Sequence, residues 1–311
     1  MPLDPQAEAL LKEVAASGLP PLESLTPAQA RDLTRQRRAQ WAGDPLPVAA
    51  VEERWVQGPA GLVPLRLYKP AEAGPLPLLV YFHGGGWVNG DLDSSDVPCR
   101  AIAQASGCLV ASVNYRHAPE HKFPAAVEDG YAVLRHLATH PREFATAPGR
   151  IAVGGDSSGG NIAAAVTLMA RDRGGPPIAF QLLLYPVTDH RFDTRSYRDH
   201  AEGYLLTKAG MAWFWNHYLK SPADGDHPYA SPLRAGDFRG LPPAWIATAE
   251  HDPLRDEGEA YAARLEEAGV PVTARRYDGM IHGFLNMAGV LDQGRQLMED
   301  AAAALRAAFT K

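Results

Sequence analysis

The segment from Arg150 to Ala165 reads RIAVGGDSSGGNIAAA. An apolar run, a glycine-rich turn and an alanine-rich run follow one another, which predicts a strand, a sharp turn and a helix. The G-x-S-x-G pattern at 155–159 places Ser157 at the tip of this turn, where small neighbours permit a strained backbone. The helix start behind Ser157 would present free N–H groups to developing negative charge. We therefore predict that Ser157 is a nucleophile.

Apolar strand-like runs alternate with helical stretches over most of the chain. The predicted strands are 51–56, 63–68, 78–82, 109–113, 151–153, 180–184, 244–248 and 270–277, of which the first two form a hairpin. The predicted helices are 5–17, 27–41, 95–106, 123–139, 158–172, 255–268 and 290–309. This order favours a mostly parallel central sheet flanked by helices. Since α/β domains can be this long, we expect residues 1–311 to form a single domain.

Two segments stand apart from this alternation. Residues 187–240 contain no clean strand and one helix signal, which is Thr207 before a run through Leu219. We interpret them as an insertion above the sheet. The helix at 27–41 begins with the cap signal Thr26-Pro27 and carries Arg31, Arg35, Arg37 and Arg38, which we interpret as a solvated helix face.

A serine nucleophile needs a base and a residue that orients the base. His282 follows the last predicted strand, and Asp252 follows the strand at 244–248, so both are expected at the carboxyl edge of the sheet. The chain order Ser157, Asp252, His282 is the one expected for an α/β-hydrolase triad. His251 is a competing base, and Asp256 and Asp278 are competing acids.

The run HGGGW at 83–87 follows the strand at 78–82. Three glycines let the backbone approach a substrate and direct N–H groups at one point, as an oxyanion hole requires. We predict that the N–H groups of Gly85, Gly86 and Ser158 are the donors. A phosphate-binding loop is the alternative, but the Lys-Ser/Thr and G-x-G-x-x-G patterns that such loops carry are absent.

Composition narrows the possible partners. The chain has 30 Lys and Arg residues against 36 Asp and Glu residues, a net charge of −6, which offers no overall field for nucleic acid or an anionic membrane.

Two cysteines, Cys99 and Cys108, exclude a disulfide scaffold. His136 and His140 share one helix face but lack the H-E-x-x-H pattern, so we predict no metal and no cofactor. The N-terminal sequence shows no signal peptide, and we expect a cytoplasmic monomer or small homo-oligomer.

Five motifs in order resemble the bacterial hormone-sensitive-lipase-like carboxylesterases. They are HGGGW at 83–87, YRHAPEHKFPAA at 115–126, GDSSGG at 155–160, DPLRD at 252–256 and IHGF at 281–284. The resemblance implies an α/β-hydrolase fold with a helical cap built from about 1–45 and 187–240. It implies the same triad and oxyanion hole, and esters with short to medium acyl chains as small-molecule substrates. Ser158 and His117 stand where Ala and Leu are commoner.

Apolar and aromatic side chains of the expected cap are candidates for a substrate pocket. They are Leu205, Met211, Phe214 and Trp215, and Trp87 beside the glycine run is a further candidate. The alternative is that these side chains only dock the cap on the core.

Two other functions stay open at this point. The plant gibberellin receptors resemble the same family and carry a similar Gly-Asp-Ser-Ser-Gly run, but they lack the catalytic histidine that His282 supplies here. An amidase, peptidase or lactonase would use the same triad, because fold and triad do not fix the leaving group.

Overall fold

A computed structural model describes residues 1–310, which form one eight-stranded sheet and nine α-helices. The strands are β1 (Ala50–Gly58), β2 (Gly61–Lys69), β3 (Leu76–Phe82), β4 (Leu109–Val113), β5 (Thr146–Asp156), β6 (Phe180–Leu184), β7 (Ala244–His251) and β8 (Val272–Ile281). The helices are α1 (Pro5–Ala16), α2 (Pro27–Trp41), α3 (Asp96–Ser106), α4 (Ala125–Thr139), α5 (Ser158–Asp172), α6 (Arg195–Asp199), α7 (Lys208–Tyr218), α8 (Arg255–Glu267) and α9 (Asp292–Phe309).

The strand order across the sheet is β1-β2-β4-β3-β5-β6-β7-β8. The β1–β2 and β2–β4 pairs are antiparallel, and the strands from β4 to β8 pair in parallel. The carboxyl ends of β5, β7 and β8 therefore meet at the same edge of the sheet. The chain has the predicted α/β-hydrolase architecture, with a mostly parallel sheet flanked by helices.

Both faces of the sheet are covered, because successive side chains of a strand point to opposite sides. Leu78, Val80 and Phe82 of β3 pack in the apolar layer that includes α4, α5 and α8. Leu79 and Tyr81 pack in the opposite layer, which includes α1, α3 and α9. Burial on both faces explains why the central strands are continuous apolar runs in the sequence.

Three strands of the parallel part of the sheet extend beyond their predicted carboxyl ends. β5 runs to Asp156, β7 to His251 and β8 to Ile281, so Ser157, Asp252 and His282 each follow the last residue of a strand. Charged residues and glycine at 275–279 hide the strand pattern of β8, which is held by its pairing with β7. The short helix α6 in the 187–240 segment was not predicted.

No helix within residues 1–310 has both the length and the apolar character needed to cross a membrane. Cys99 and Cys108 are both buried and unpaired. Burial raises the pKa of the Cys108 thiol to about 11 and raises that of Cys99 further.

Candidate active site

Ser157 sits in the turn between β5 and α5 with a strained backbone, at φ 56° and ψ −118°. Left-handed φ values are costly for a residue with a side chain, so the surroundings must hold this conformation. The Ser157 N–H donates to the Leu184 carbonyl at 2.9 Å, and the Val187 N–H donates to the Ser157 carbonyl at 3.2 Å. The end of the neighbouring strand β6 therefore fixes the turn from both sides.

Glycine is required where the start of α5 crosses β3. A Cβ atom on Gly159 would lie 1.9 Å from the Phe82 carbonyl oxygen, and one on Gly155 would lie 2.3 Å from the same atom. These distances are far below any normal contact, and the obstructing atom belongs to the backbone. The glycines of the G-x-S-x-G pattern thus allow the helix to begin directly behind Ser157.

Ser157, His282 and Asp252 form a continuous hydrogen-bonded chain. His282 Nδ1 lies 2.7 Å from Asp252 Oδ2, and His282 Nε2 lies 2.9 Å from Ser157 Oγ. Because a carboxylate oxygen accepts, Nδ1–H donates to Asp252, which leaves Nε2 to accept from the Ser157 hydroxyl. Asp252 is fully buried, and its other oxygen accepts from the Leu254 N–H at 2.9 Å. The structure brings the three predicted side chains together.

The competing base and acids lie elsewhere. The ring of His251 stacks on Tyr204 at 5.1 Å between centroids. The carboxylates of Asp256 and Asp278 are each 2.8 Å from an arginine nitrogen, in ion pairs with Arg255 and Arg276. The His282 imidazole is oriented by Asp252 and by neither of these carboxylates.

The glycine loop lies beside Ser157. Gly85 and Gly86 have φ values of 133° and 60°, in the region that favours glycine. Within residues 1–310, the N–H groups of Gly85, Gly86 and Ser158 donate no hydrogen bond to another protein atom. A Cβ on Gly86 would lie 2.1 Å from the Phe214 ring, so α7 packs directly against this loop. The loop is held in place while its N–H groups stay available.

The carboxylate of Asp156 joins three segments of the site. Its Oδ1 accepts from the Gly84 N–H and from the Tyr81 hydroxyl, both at 2.8 Å, and its Oδ2 accepts from Asn286 Nδ2 at 3.0 Å. The side chain is only 2 % exposed. Asp156 therefore ties the residue before the nucleophile to the glycine loop and to the segment after His282. Sequence reasoning missed this role, although Asp156 stands inside the motif.

Arg38 adds a second support to the glycine loop. Its guanidinium donates to the Gly84 carbonyl at 3.1 Å and to Ser94 Oγ at 3.0 Å. Arg31, two turns earlier on α2, forms an ion pair with Glu120 at 2.6 Å. The interpretation of the α2 arginines as a solvated face is therefore wrong for Arg31 and Arg38, whose side chains reach the protein body. It is also wrong for Arg37, which lines the cavity described next. A helix that packs along an edge of the site cannot be distinguished from a surface helix by charge content alone.

A cavity of about 180 Å³ opens beside Ser157 and His282. Its walls come from the glycine loop, from α2, from the 187–240 segment and from the residues after β8. The lining residues are Leu22, Thr34, Arg37, Arg38, Trp41, Gly85, Gly86, Asn89, Asp156, Ser157, Leu205, Leu206, Met211, Phe214, His282, Gly283, Asn286 and Met287. Most of this surface is apolar, which suits a substrate with hydrocarbon parts.

Three of the five candidate pocket residues line this cavity, namely Leu205, Met211 and Phe214. The expectation for Trp87 and Trp215 does not match their positions, since neither reaches the cavity wall. Trp87 is fully buried and stacks on Tyr218, with centroids 4.1 Å apart and rings 2° from parallel. Trp215 packs against Trp87 at 4.5 Å. These two rings dock α7 on the core behind the cavity.

His136 and His140 stack on each other at the end of α4, with ring centroids 4.2 Å apart. The ring nitrogen Nδ1 of His140 lies 2.9 Å from the His136 carbonyl oxygen. Within residues 1–310, no group of three or more His, Cys, Asp or Glu side chains is arranged to hold a metal ion.

A strained serine after a central strand, a histidine and an acid at the same sheet edge, and a glycine loop beside them define the class of α/β-hydrolases. A family model described as the alpha/beta hydrolase fold matches residues 79–286. This span contains most of β3, all of β4 to β8, the glycine loop and all three side chains of the hydrogen-bonded chain.

Known relatives narrow the class. Carboxylic ester hydrolase LipN of Mycobacterium tuberculosis is 49 % identical over 238 residues, which is 75 % of this chain and 63 % of LipN. Carboxylesterase NlhH of the same species is 41 % identical over 294 residues, 92 % of each chain. The structure of an ester hydrolase, EH1AB1, from the metagenome of Lake Arreo superposes with a TM-score of 0.96 at 44 % identity, covering 99 % of this chain and 100 % of that one.

The chain belongs to the hormone-sensitive-lipase-like carboxylesterases of the alpha/beta hydrolase fold. The resemblance on the five sequence motifs is confirmed, and the protein is a carboxylic-ester hydrolase acting on small-molecule esters.

Two histidines are buried behind the glycine loop. His83 stacks on Tyr115 at 4.5 Å, and His117 meets both rings edge-on. Burial lowers the pKa of His83 to about 4 and the pKa of His117 to about 3. The Nε2 atoms of both rings have no hydrogen-bond partner within residues 1–310. Both imidazole rings are therefore neutral in the folded protein at neutral pH.

Replacing His117 by Leu should make the protein less sensitive to acid. An unfolded histidine has a pKa of about 6.5, so the unfolded state binds protons more readily than the folded state below that pH. The stability contributed by neutral His117 is present above pH ~6.5 and is lost as the pH falls towards 3. Urea unfolding from pH 7 to pH 4 should show a shallower loss for H117L than for the wild type. The exposed neighbour His121 provides the control variant H121L; equal slopes in H117L and the wild type would contradict the prediction.

Proposed function

We propose that Ser157 is the nucleophile of an ester hydrolysis that proceeds through an acyl-enzyme, with His282 as base and Asp252 as its orienting acid. The observation that carries the proposal is the chain of contacts of 2.7 Å and 2.9 Å from Asp252 through His282 to Ser157. A hydroxyl that donates to an imidazole can lose its proton as it attacks a carbonyl carbon.

In the first half of the reaction, Ser157 Oγ forms a bond to the ester carbonyl carbon while its proton moves to His282 Nε2. The resulting imidazolium is stabilised by the buried Asp252 carboxylate, which also fixes the ring orientation. The tetrahedral intermediate then collapses, the bond to the alcohol oxygen breaks, and the alcohol leaves with the proton from His282. The product bound to the protein is the Ser157 ester.

We assign the oxyanion of this intermediate to the N–H groups of Gly85, Gly86 and Ser158. Two features support the assignment: these N–H groups have no protein acceptor within residues 1–310, and Gly85 and Gly86 line the same cavity as Ser157. Donors fixed before the reaction need no reorganisation when the charge develops, and one such donor contributes roughly 100-fold or more to the rate.

In the second half, a water molecule takes the place of the alcohol. His282 Nε2 removes a proton from the water as its oxygen attacks the acyl carbon. The second tetrahedral intermediate then releases the carboxylic acid, and Ser157 Oγ recovers its proton from His282. In this scheme, every proton transfer takes place between His282 and Ser157, the alcohol or the attacking water.

The proposed substrates have short to medium acyl chains. A cavity of about 180 Å³ is smaller than the roughly 300–1,000 Å³ that is common for sites of drug-sized ligands. We propose that about 1–45 and 187–240 act as a cap that bounds this space, with Leu205, Met211 and Phe214 as its substrate contacts. The cytoplasmic location and the oligomeric state stay predictions.

A pure receptor role is disfavoured because His282 is present and lies 2.9 Å from Ser157 Oγ. Amide and lactone hydrolysis would use the same side chains, and relative rates on matched ester and amide substrates distinguish these activities.

Replacing Ser157 by Ala should reduce ester turnover by on the order of 10⁴-fold or more, because it removes the hydroxyl that His282 Nε2 contacts. Hydrolysis of a chromogenic acetyl ester measures the loss, and circular dichroism checks the fold. The variant S112A, which removes a buried hydroxyl from β4, is the control and should keep its turnover. A Ser157→Ala protein with near-normal rates would show that another residue is the nucleophile.

Replacing Met211 by Ala should shift the preferred acyl chain to greater length, because this fully buried side chain bounds the cavity. The kcat/KM values for a series of acyl esters from two to twelve carbons measure the shift. Met298 is a buried methionine of α9 that does not line the cavity, so M298A matches the loss of packing. If M211A and M298A give the same chain-length profile, Met211 only docks α7 on the core.

A further inference from the structure

Arg37 lines the cavity beside Ser157 and has no acidic partner. No carboxylate oxygen within residues 1–310 lies within 4.0 Å of its guanidinium, and the guanidinium donates no hydrogen bond to this part of the chain. The α2 neighbours differ in this respect: Arg31 is paired with Glu120 at 2.6 Å and Arg35 with Asp32 at 2.9 Å.

The guanidinium of Arg37 is held against an aromatic wall of the cavity. Its Cζ lies 5.7 Å from the centroid of the Trp41 ring, a distance typical of a cation–π contact. Trp41 is 6 % exposed and also lines the cavity. The contact restricts the arginine side chain, so less conformational freedom is lost when its nitrogens bind a ligand.

The other charged groups of the cavity do not neutralise Arg37. Asp156 is the one acidic residue of the lining, and its two oxygens already accept from Gly84, Tyr81 and Asn286. Arg38 adds a further positive charge, although its donors are used by a carbonyl and a hydroxyl. The mostly apolar cavity therefore has an excess of positive charge.

Partial burial makes this excess unfavourable in the free enzyme. Burial lowers the pKa of Arg37, and no neighbouring carboxylate raises it. A cation that has lost part of its hydration gains most from an anion that arrives with the substrate. The planar fork of a guanidinium matches the two oxygens of a carboxylate.

We propose that Arg37 binds a carboxylate group of the substrate, so that the enzyme favours esters that carry such a group over neutral esters of the same shape. The substrate class is the half-ester of a dicarboxylic acid or the acyl ester of a hydroxy acid. This proposal rests on the proposed function, since it names the substrate class of the same site.

Two pairs of matched esters test the proposal, one for each side of the ester bond. Monoethyl succinate is compared with ethyl 4-methylpentanoate, and 4-acetoxybutanoate is compared with 4-methylpentyl acetate. In each pair a carboxylate replaces an isopropyl group of similar shape. The measured quantity is the ratio of kcat/KM for the anionic ester to that for the neutral ester.

In R37M this ratio should fall about 10-fold to 100-fold for at least one pair, the range that a charged hydrogen-bonded contact provides. The fall should appear in KM and should weaken at high ionic strength. R37K keeps the charge without the planar fork and should recover part of the ratio. R35M removes an arginine of α2 that does not line the cavity, and its ratio should match the wild type.

Equal ratios in R37M and the wild type for both pairs would overturn the proposal. Hydrolysis of the neutral esters by both proteins would at the same time support the proposed function. If the wild type hydrolyses none of the four esters, that result would instead contradict the proposed function. A binding experiment then still decides the role of Arg37: calorimetry of monoethyl succinate and 4-acetoxybutanoate with S157A and with S157A/R37M. Weaker binding of either ester to the double variant supports the proposal, and equal binding of both esters overturns it.

Discussion

The buried carboxylate of Asp156 is the constraint on which the rest of the site depends. Two segments far apart in the chain donate to it: the end of β3 together with the glycine loop, and the segment after His282. Each donor would lose a hydrogen bond in a dry environment if Asp156 moved, which makes the arrangement cooperative. The same residue precedes Ser157, so the strained turn and its partners are held by one side chain.

Much of this architecture could be predicted from local sequence. The central strands are buried on both faces, so they are continuous apolar runs, and the glycines at 155 and 159 mark a turn that no larger residue permits. The placement of Ser157, Asp252 and His282 at one sheet edge follows from parallel pairing, because each comes directly after or shortly after a strand. Residue types and chain order were therefore enough to predict the hydrogen-bonded chain.

Contacts between distant segments could not be predicted in the same way. Trp87 follows the glycine loop, but positive φ values at Gly86 and Trp87 reverse the chain and place the ring in a packed layer with Tyr218. Met211, Phe214 and Trp215 are spaced three and four residues apart, so they share one broad face of α7. Helix geometry alone therefore does not show that Trp215 packs on Trp87 while the other two line the cavity. The isolation of the Arg37 charge likewise depends on which carboxylates the fold leaves out of reach.

The rate at which Ser157 is phosphonylated by a fluorophosphonate, with loss of fluoride, tests most directly whether Asp156 holds the site together, because this reaction needs the nucleophile, its base and the oxyanion donors aligned. We predict that Asp156→Ala, assayed below its unfolding temperature, reacts at least ~100-fold more slowly than the wild type. Asp156→Asn keeps an acceptor for Gly84 and Tyr81 and should be less impaired. A folded Asp156→Ala protein that is phosphonylated at the wild-type rate would contradict this account.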